Sequence, residues 1–319
     1  MPSKTITDEI YGTHEITSPV IIDLMESESM QRLKKITQFG IPDEYYHIPG
    51  FDRYVHSVGV MLLLRNLNAS EEEQVSGLLH DVSHTAFSHV VDWVVNSATT
   101  EDFQDKQHEK ILKGKEISGI LKKYGYSPQQ IADYSKFTLL EQDMPRPCAD
   151  RVDYAFREFP LKRAQYLATK TIAHEGRIMF KDRESAKEFG ELYLDCQMNH
   201  WGGYEAVVRY TIFAELLKIA LDKKIIQFDD FMKDDEYMME KLTMTKDKRI
   251  THLFELLRKR SLDNLPKTEE IVQKKFRFID PEFVENGKTT AISTVDMPFK
   301  LKLALSRHKN DDGIRMPVF

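Results

Sequence analysis

The chain has 319 residues, 41% of them hydrophobic, with 14 glycines and 12 prolines. That length can bury one large core with or without a small appendage, and the composition excludes a disordered or fibrous chain. Its 45 basic and 51 acidic residues are mixed throughout for a net charge of -6, which excludes a blanket basic surface for duplex nucleic acid or anionic membrane and makes any phosphate binding local.

Two cysteines, Cys148 and Cys196, make no disulfide framework and suit a reducing compartment. Met1 to Ile22 mixes charges with Thr and Ser unlike a signal peptide, and no apolar run is long enough to span a bilayer. A soluble, cytoplasmic protein is expected.

Helical periodicity comes first along the chain. "VIIDLMESESMQRLKKITQFG" is expected to be helical and to end at Gly40, a C-cap residue type. "HSVGVMLLLRNL" and "EEEQVSGLLHD" follow as two helices, the second started by a Ser70-Glu71-Glu72-Glu73 capping box. From His56 to Leu67 is roughly 16 Å of helix and from Ser70 to His80 roughly 15 Å. An antiparallel pairing therefore returns His80 to the level of His56.

In "CADRVDYAFRE", Asp150, Tyr154 and Arg157 share one helical stripe, while Val152, Ala155, Phe156 and Phe159 form the apolar one. Asp153 and Arg157, four apart, read as an intrahelical salt bridge. "TKTIAHEGRIMF" is expected to be a small hairpin turning at Glu175-Gly176. Long helical spacing resumes from Glu184 to Lys223, interrupted by His200-Trp201-Gly202-Gly203. A charge-dense stretch from Lys233 to Lys248 and the surroundings of Pro266 mark a soft boundary near residue 250. Beyond it "FRFIDPEFVENGKTTAISTV" looks partly β. The expected fold is mainly α, a helical bundle with a small β-hairpin and a smaller α+β C-terminal segment.

The chemistry concentrates in "GLLHDVSHTAFSHVVDW", residues 77 to 93, which places three histidines and two aspartates among residues that otherwise read as core. His56 and His80-Asp81 meet if the helices pair, and Asp150 could close the group. Imidazole and carboxylate ligands of this mix suit Fe, Mn, Zn or Ni, and the absence of thiolate argues against a structural zinc site. A lone His-Asp pair at a helix end is more often a structural hydrogen-bonded pair. The joint pattern changes that balance. His89 and Asp92 are one turn apart and can touch, as an imidazole acid and its orienting carboxylate would. Arg53, one turn before His56, is a candidate phosphate clamp.

"MQRLKKITQFG", "RYVHSVGV", "LLHDVSHTAFSH", "QHEK" and "DRVDY", in this order, resemble elements of the HD-domain metal-dependent phosphohydrolases, and most closely the deoxynucleoside triphosphate triphosphohydrolase branch. The ordered matches cover roughly residues 20 to 245. What the resemblance implies is an HD-domain bundle over residues 1–250, with a metal-site core at about 30–165 and a helical extension at 166–250, followed by the small segment 251–319. It implies His56, His80, Asp81 and Asp150 as metal ligands, with Mg²⁺ possible on the substrate phosphates. It also implies His89, Asp92 and His108 as the catalytic group, His84 as a phosphate contact, and Arg53, Gln38, Arg151 and Tyr154 around a nucleotide. The substrate implied is a dNTP and the assembly a homo-oligomer.

One element departs from the branch. Where relatives carry a Tyr-x-His-Lys type element, this chain reads "MNHWGGYEAVVRY", so Tyr204 could stack on the sugar but Ala206 and Val207 stand in place of the imidazole and the cation. Gln31 and Lys34 loosely match a regulatory nucleotide region, which a plain amphipathic helix explains equally well. The competing readings are a monophosphatase or phosphodiesterase of the same superfamily and a nucleotide-sensing scaffold without turnover. A dinuclear site would need two further histidines on separate helices.

Overall fold

The computed structural model describes residues 3–97 and 101–319. Two helices form its central hairpin. Asp52 Oδ1 accepts from Val55 N to start helix Arg53–Asn66, and Ser70 Oγ accepts from Glu73 N to start Glu71–Leu79. The helices cross closely because Gly77 has no side chain where a Cβ would strike Leu64. Helix Ala149–Phe156 packs across the first of them, over Gly59. The capping box forms only in part. The Glu73 carboxylate turns inward instead and accepts from Leu139 N and Leu140 N at 2.8 and 3.1 Å, tying the loop before Ala149 to the hairpin.

Residues 20–40 are not one helix. Ser27 breaks them: its Oγ donates to Leu24 O and accepts from Met30 N, ending Pro19–Glu26 and starting Glu28–Arg32 in one residue. After a 3₁₀ turn the chain extends through Thr37, which bridges to Asp52. Gly40 serves a turn, not a helix end. Its φ is +74° and an added Cβ would lie 2.7 Å from Phe87 O, a close approach only glycine permits.

The expected hairpin is present as Thr171–His174 and Arg177–Phe180, with Glu175 and Gly176 at φ +50° and +70° as a type I′ turn requires. Strands Glu282–Glu285 and Lys288–Ala291 extend it to a four-stranded sheet. Lys267–Val272 pairs with Ile314–Pro317, and Phe299 of helix Met297–Asp311 packs where Gly190 leaves room. Residues beyond 250 therefore share sheets and core with those before it.

Helix Arg183–Cys196 widens into a π-helical turn at Gln197–Trp201 before Tyr204–Asp222 begins. The latter is buried around most of its circumference, under Lys248–Leu257 and the helix Val90–Val94. No helix among the described residues is long and apolar enough to cross a membrane.

Candidate metal centre

The helix hairpin brings His56, in the first turn of one helix, to His80, which caps the other. Their Nε2 atoms lie 3.2 Å apart. Asp150 Oδ1 sits 3.0 Å from His56 Nε2 and 3.5 Å from His80 Nε2. Asp81 adds Oδ1 at 3.4 Å from His80 Nε2 and Oδ2 at 3.8 Å from His56 Nε2. His56, His80 and Asp81 thus form one compact group of donors, and Asp150 borders it on the side of the two imidazoles.

Both rings have a fixed orientation. His56 Nδ1–H donates to Asp153 Oδ2 at 2.8 Å, and His80 Nδ1–H donates to Gly77 O at 2.7 Å, so Nε2 is the atom each ring turns inward. Two inward-facing Nε2 atoms at this separation need either a proton or a metal cation between them and the carboxylates. Burial disfavours charging His80, yet Asp81 and Asp150 outweigh it and raise its pKa to about 9. The pocket demands positive charge, and its nitrogen and oxygen donors suit a divalent transition ion. Arg53 is buried beside it with Nη1 2.5 Å from Asp81 Oδ2 and Nε 2.7 Å from Ser88 Oγ. Burial opposes ionising Asp81, but Arg53 and then His80 hold its carboxyl well below the usual range.

A cavity of about 370 Å³ opens above these groups, within the usual range for small-molecule sites. Arg53, Gln38, His84, His89, Arg151 and Tyr154 line it. His84 Nε2 donates to Asp81 Oδ1 at 3.2 Å, and its buried Nδ1 has no partner among the described residues; burial and then Arg53 keep this ring neutral. His89 Nδ1 donates to Asp92 Oδ2 at 3.2 Å, and Asp92 lies behind it, also accepting from Phe103 N. Arg151 donates to Glu141 Oε1 at 2.8 Å. Tyr154 is bonded to Tyr193 and stacks edge-on to Trp201.

Besides His56 and Asp92, two expected residues lie outside the cavity lining. His108 is behind Tyr134, whose hydroxyl donates to its Nε2 at 2.9 Å, while its Nδ1 faces Ser83 Oγ. Burial lowers its pKa to about 4, so it is neutral and reaches the cavity only through Tyr134. Tyr204 points the other way, with its hydroxyl on Leu262 O and Lys267 Nζ 3.5 Å from its ring centroid. It begins a helix whose first turn faces the C-terminal segment, and Ala206 and Val207 are core. The regulatory candidates have local partners: Gln31 donates to Met25 O and Lys34 lies over Tyr54.

A model of the HD domain matches residues 53–181. The uncharacterised Bacillus subtilis protein YdhJ is 36% identical over 98% of each chain. This chain belongs to the HD-domain family. The metal-dependent phosphohydrolase cns2 of Cordyceps militaris is 38% identical over 49% of this chain and 45% of its own, and an HD-superfamily hydrolase is the class these likenesses give. More distantly, the human deoxynucleoside triphosphate triphosphohydrolase SAMHD1 is 28% identical over 40% of this chain and 24% of its own. The crystal structure of a hypothetical protein from Aquifex aeolicus has the same fold, with a TM-score of 0.69 at 19% identity over 94% of this chain and 93% of that one.

Within this HD fold, several cavity residues escaped the sequence reading. Lys274, Lys275 and Arg277 enter from the C-terminal segment. Their only sequence signal is the run "KKFR", indistinguishable there from a solvated charge cluster. Arg277 pairs with the buried Glu101. Asp153 was legible only as the partner of Arg157, a bond that does form, and its second bond to His56 depends on the crossing helix.

Proposed function

We propose that this HD protein is a dNTP triphosphohydrolase, releasing deoxynucleoside and triphosphate. The observation that carries the reading is that five cations, Arg53, Arg151, Lys274, Lys275 and Arg277, line one cavity with the ligands His80, Asp81 and Asp150. A long anionic tail matches such a wall better than a single phosphate. We assign His56, His80, Asp81 and Asp150 as the ligands of an Fe, Mn, Zn or Ni ion, with Mg²⁺ on the substrate phosphates. When bound, that ion supplies Lewis-acid polarisation of the phosphoryl oxygen and acidifies a water.

The chain's own residues do the rest. Arg53, with a buried Nη2 that has no partner among the described residues, is the donor for the phosphate, while the neutral His84, its one N–H spent on Asp81, presents Nδ1 only as an acceptor, so its expected phosphate contact would need a second proton on the ring. His89, held by Asp92, hands a proton to the leaving sugar oxygen. Tyr134, held by His108, borders the same space. The homo-oligomeric state rests on resemblance and the cytoplasmic setting on cysteine usage, and they are read out by light scattering and by fractionation.

A second reading has its own observation. Each guanidinium already has a carboxylate partner, Arg53 with Asp81, Arg151 with Glu141 and Arg277 with Glu101, which leaves less net charge for a triphosphate and favours a monophosphatase. Purified, metal-analysed protein is screened against dNTPs, NTPs, nucleoside monophosphates and cyclic dinucleotides, with phosphate, pyrophosphate and triphosphate separated as products. Triphosphate from dNTPs supports the first reading, and orthophosphate from monophosphates supports the second. Binding without turnover on any of them leaves a sensing scaffold.

A further inference from the structure

A series of aromatic rings leads away from the metal group along the cavity wall. The Tyr154 ring lies 6.3 Å from His56 and 5.2 Å from Trp201. His200, next in the chain, meets Phe39 edge-on at 4.6 Å and Tyr46 at 5.6 Å. All of these except His56 line the cavity, and Phe39, Tyr46, His200 and Trp201 are each less than a tenth exposed.

The polar edges of this wall are satisfied among themselves. Glu158 Oε2 accepts from His200 Nδ1 at 2.5 Å and Oε1 accepts from Trp201 Nε1 at 2.6 Å. Tyr46, whose hydroxyl burial keeps protonated, donates to His200 Nε2 at 2.9 Å. What the wall offers a ligand is therefore π surface, with one exception: Gln38 Oε1, buried and without a partner among the described residues.

Local backbone explains how His200 and Trp201 reach this position. They end the π-helical turn Gln197–Trp201, and π turns inside helices often mark functional sites. Gly202 and Gly203 close it where added Cβ atoms would lie 2.6 Å from Gln197 Nε2 and 2.8 Å from Asn199 O. The fully buried Gln197 accepts from Arg277 N at 3.2 Å, fastening the cationic stretch 274–277 to the same turn. One turn thus sets both the rings and the cations.

We propose that Phe39, Tyr46, His200 and Trp201 form the nucleobase subsite. The occupant is a flat, uncharged heteroaromatic ring, stacked on the wall, with a ring or amino N–H donated to Gln38 Oε1; such stacking tolerates every base. This rests on the nucleotide reading above but not on which phosphate bond is cleaved.

The test uses the metal-loaded protein and ligands that it cannot hydrolyse. Titration calorimetry compares free 2′-deoxynucleosides with 2-deoxyribose, and inorganic tripolyphosphate serves as the phosphate probe. Nucleosides are expected to bind at least tenfold more tightly than deoxyribose. Trp201→Leu and His200→Ala are expected to lose about tenfold for nucleosides and to hold tripolyphosphate as before. Nucleosides no tighter than deoxyribose, or unaffected by both substitutions, would overturn the subsite. Tripolyphosphate that fails to bind while nucleosides do would sink the triphosphate reading and leave the subsite standing. Should those variants misfold, Trp93→Phe leaves Trp201 as the only one of two tryptophans. Its emission must then change on nucleoside addition, and an unchanged spectrum counts against the proposal.

Discussion

His56 Nδ1 and Asp153 Oδ2 are 2.8 Å apart, and both residues are fully buried. This contact, made across two helices, aims His56 Nε2 at the candidate metal position, and Arg157 keeps the carboxylate charged by donating to the same oxygen at 2.8 Å. Burial opposes ionisation of Asp153, and Arg157 followed by His56 overcomes it.

Asp153→Asn is therefore expected to weaken metal affinity by about 10- to 100-fold, the usual effect of losing a carboxylate that orients a ligating histidine. Competition of the purified protein against a fluorescent chelator measures it. Unchanged affinity would mean that His56 needs no such partner.

Ligand and acid separate by a different measurement. His56→Ala and Asp150→Ala should lose bound metal by elemental analysis. His89→Ala should retain metal and fold yet lose about 10²- to 10⁴-fold in turnover, the range for a general acid. Retained turnover in His89→Ala removes it from the proton-transfer role, and the Tyr134 hydroxyl is the next group to test.

How much of this was legible beforehand follows the range of each interaction. The pairing of His56 with His80 came from two helix lengths and a short loop. Asp150 and Tyr154 came from helical period and resemblance. Ser27 hid a helix break because its two competing hydrogen bonds are local chemistry inside an otherwise continuous apolar rhythm. The entry of Lys274 to Arg277 was not legible, because it depends on Gln197 and Glu101 far away in the chain. For the same reason His108 and Tyr204 were expected at the cavity, and tertiary packing placed one behind Tyr134 and turned the other to Leu262.

Gly59 lies one turn after His56, where an added Cβ would collide with the Asp153 carboxylate and the Arg157 guanidinium. Gly59→Ala favours the helix intrinsically but overpacks this crossing. The expected net effect is a loss of about 1–3 kcal/mol, read by urea denaturation, with reduced metal occupancy. A stabilised variant with full occupancy would show that the crossing relaxes freely.

Asp235 anchors the loop that carries His84 and His89. Its carboxylate oxygens accept from Phe87 N at 2.7 Å and Thr37 N at 2.9 Å, and burial raises its pKa to about 7. Unfolded, the group ionises near pH 4. Between about pH 4 and 7 the unfolded chain has therefore released a proton that the folded chain retains, so this residue makes stability fall as pH rises and contributes no slope above that window. Asp235→Asn should flatten that part of the stability profile, measured as urea midpoints against pH. Parallel profiles for both proteins would place the titration elsewhere.

Lys274 gives the cavity its own pH limit. It lines the cavity with Nζ 4.0 Å from the Tyr210 ring centroid, and burial lowers its pKa to about 8 against the opposing pull of Glu101. Below that pH it is a cation in the cavity wall, and above it the charge is lost. A charge-assisted contact contributes about 1.5–3 kcal/mol, so KM for an anionic substrate should rise about tenfold or more as pH passes 8. Lys274→Gln should begin with the raised KM and lose the pH step. Lys275→Gln should keep the step, because Lys275 has its own place in the cavity lining. If Lys274→Gln keeps it too, the titrating group lies among the histidines or on the bound metal.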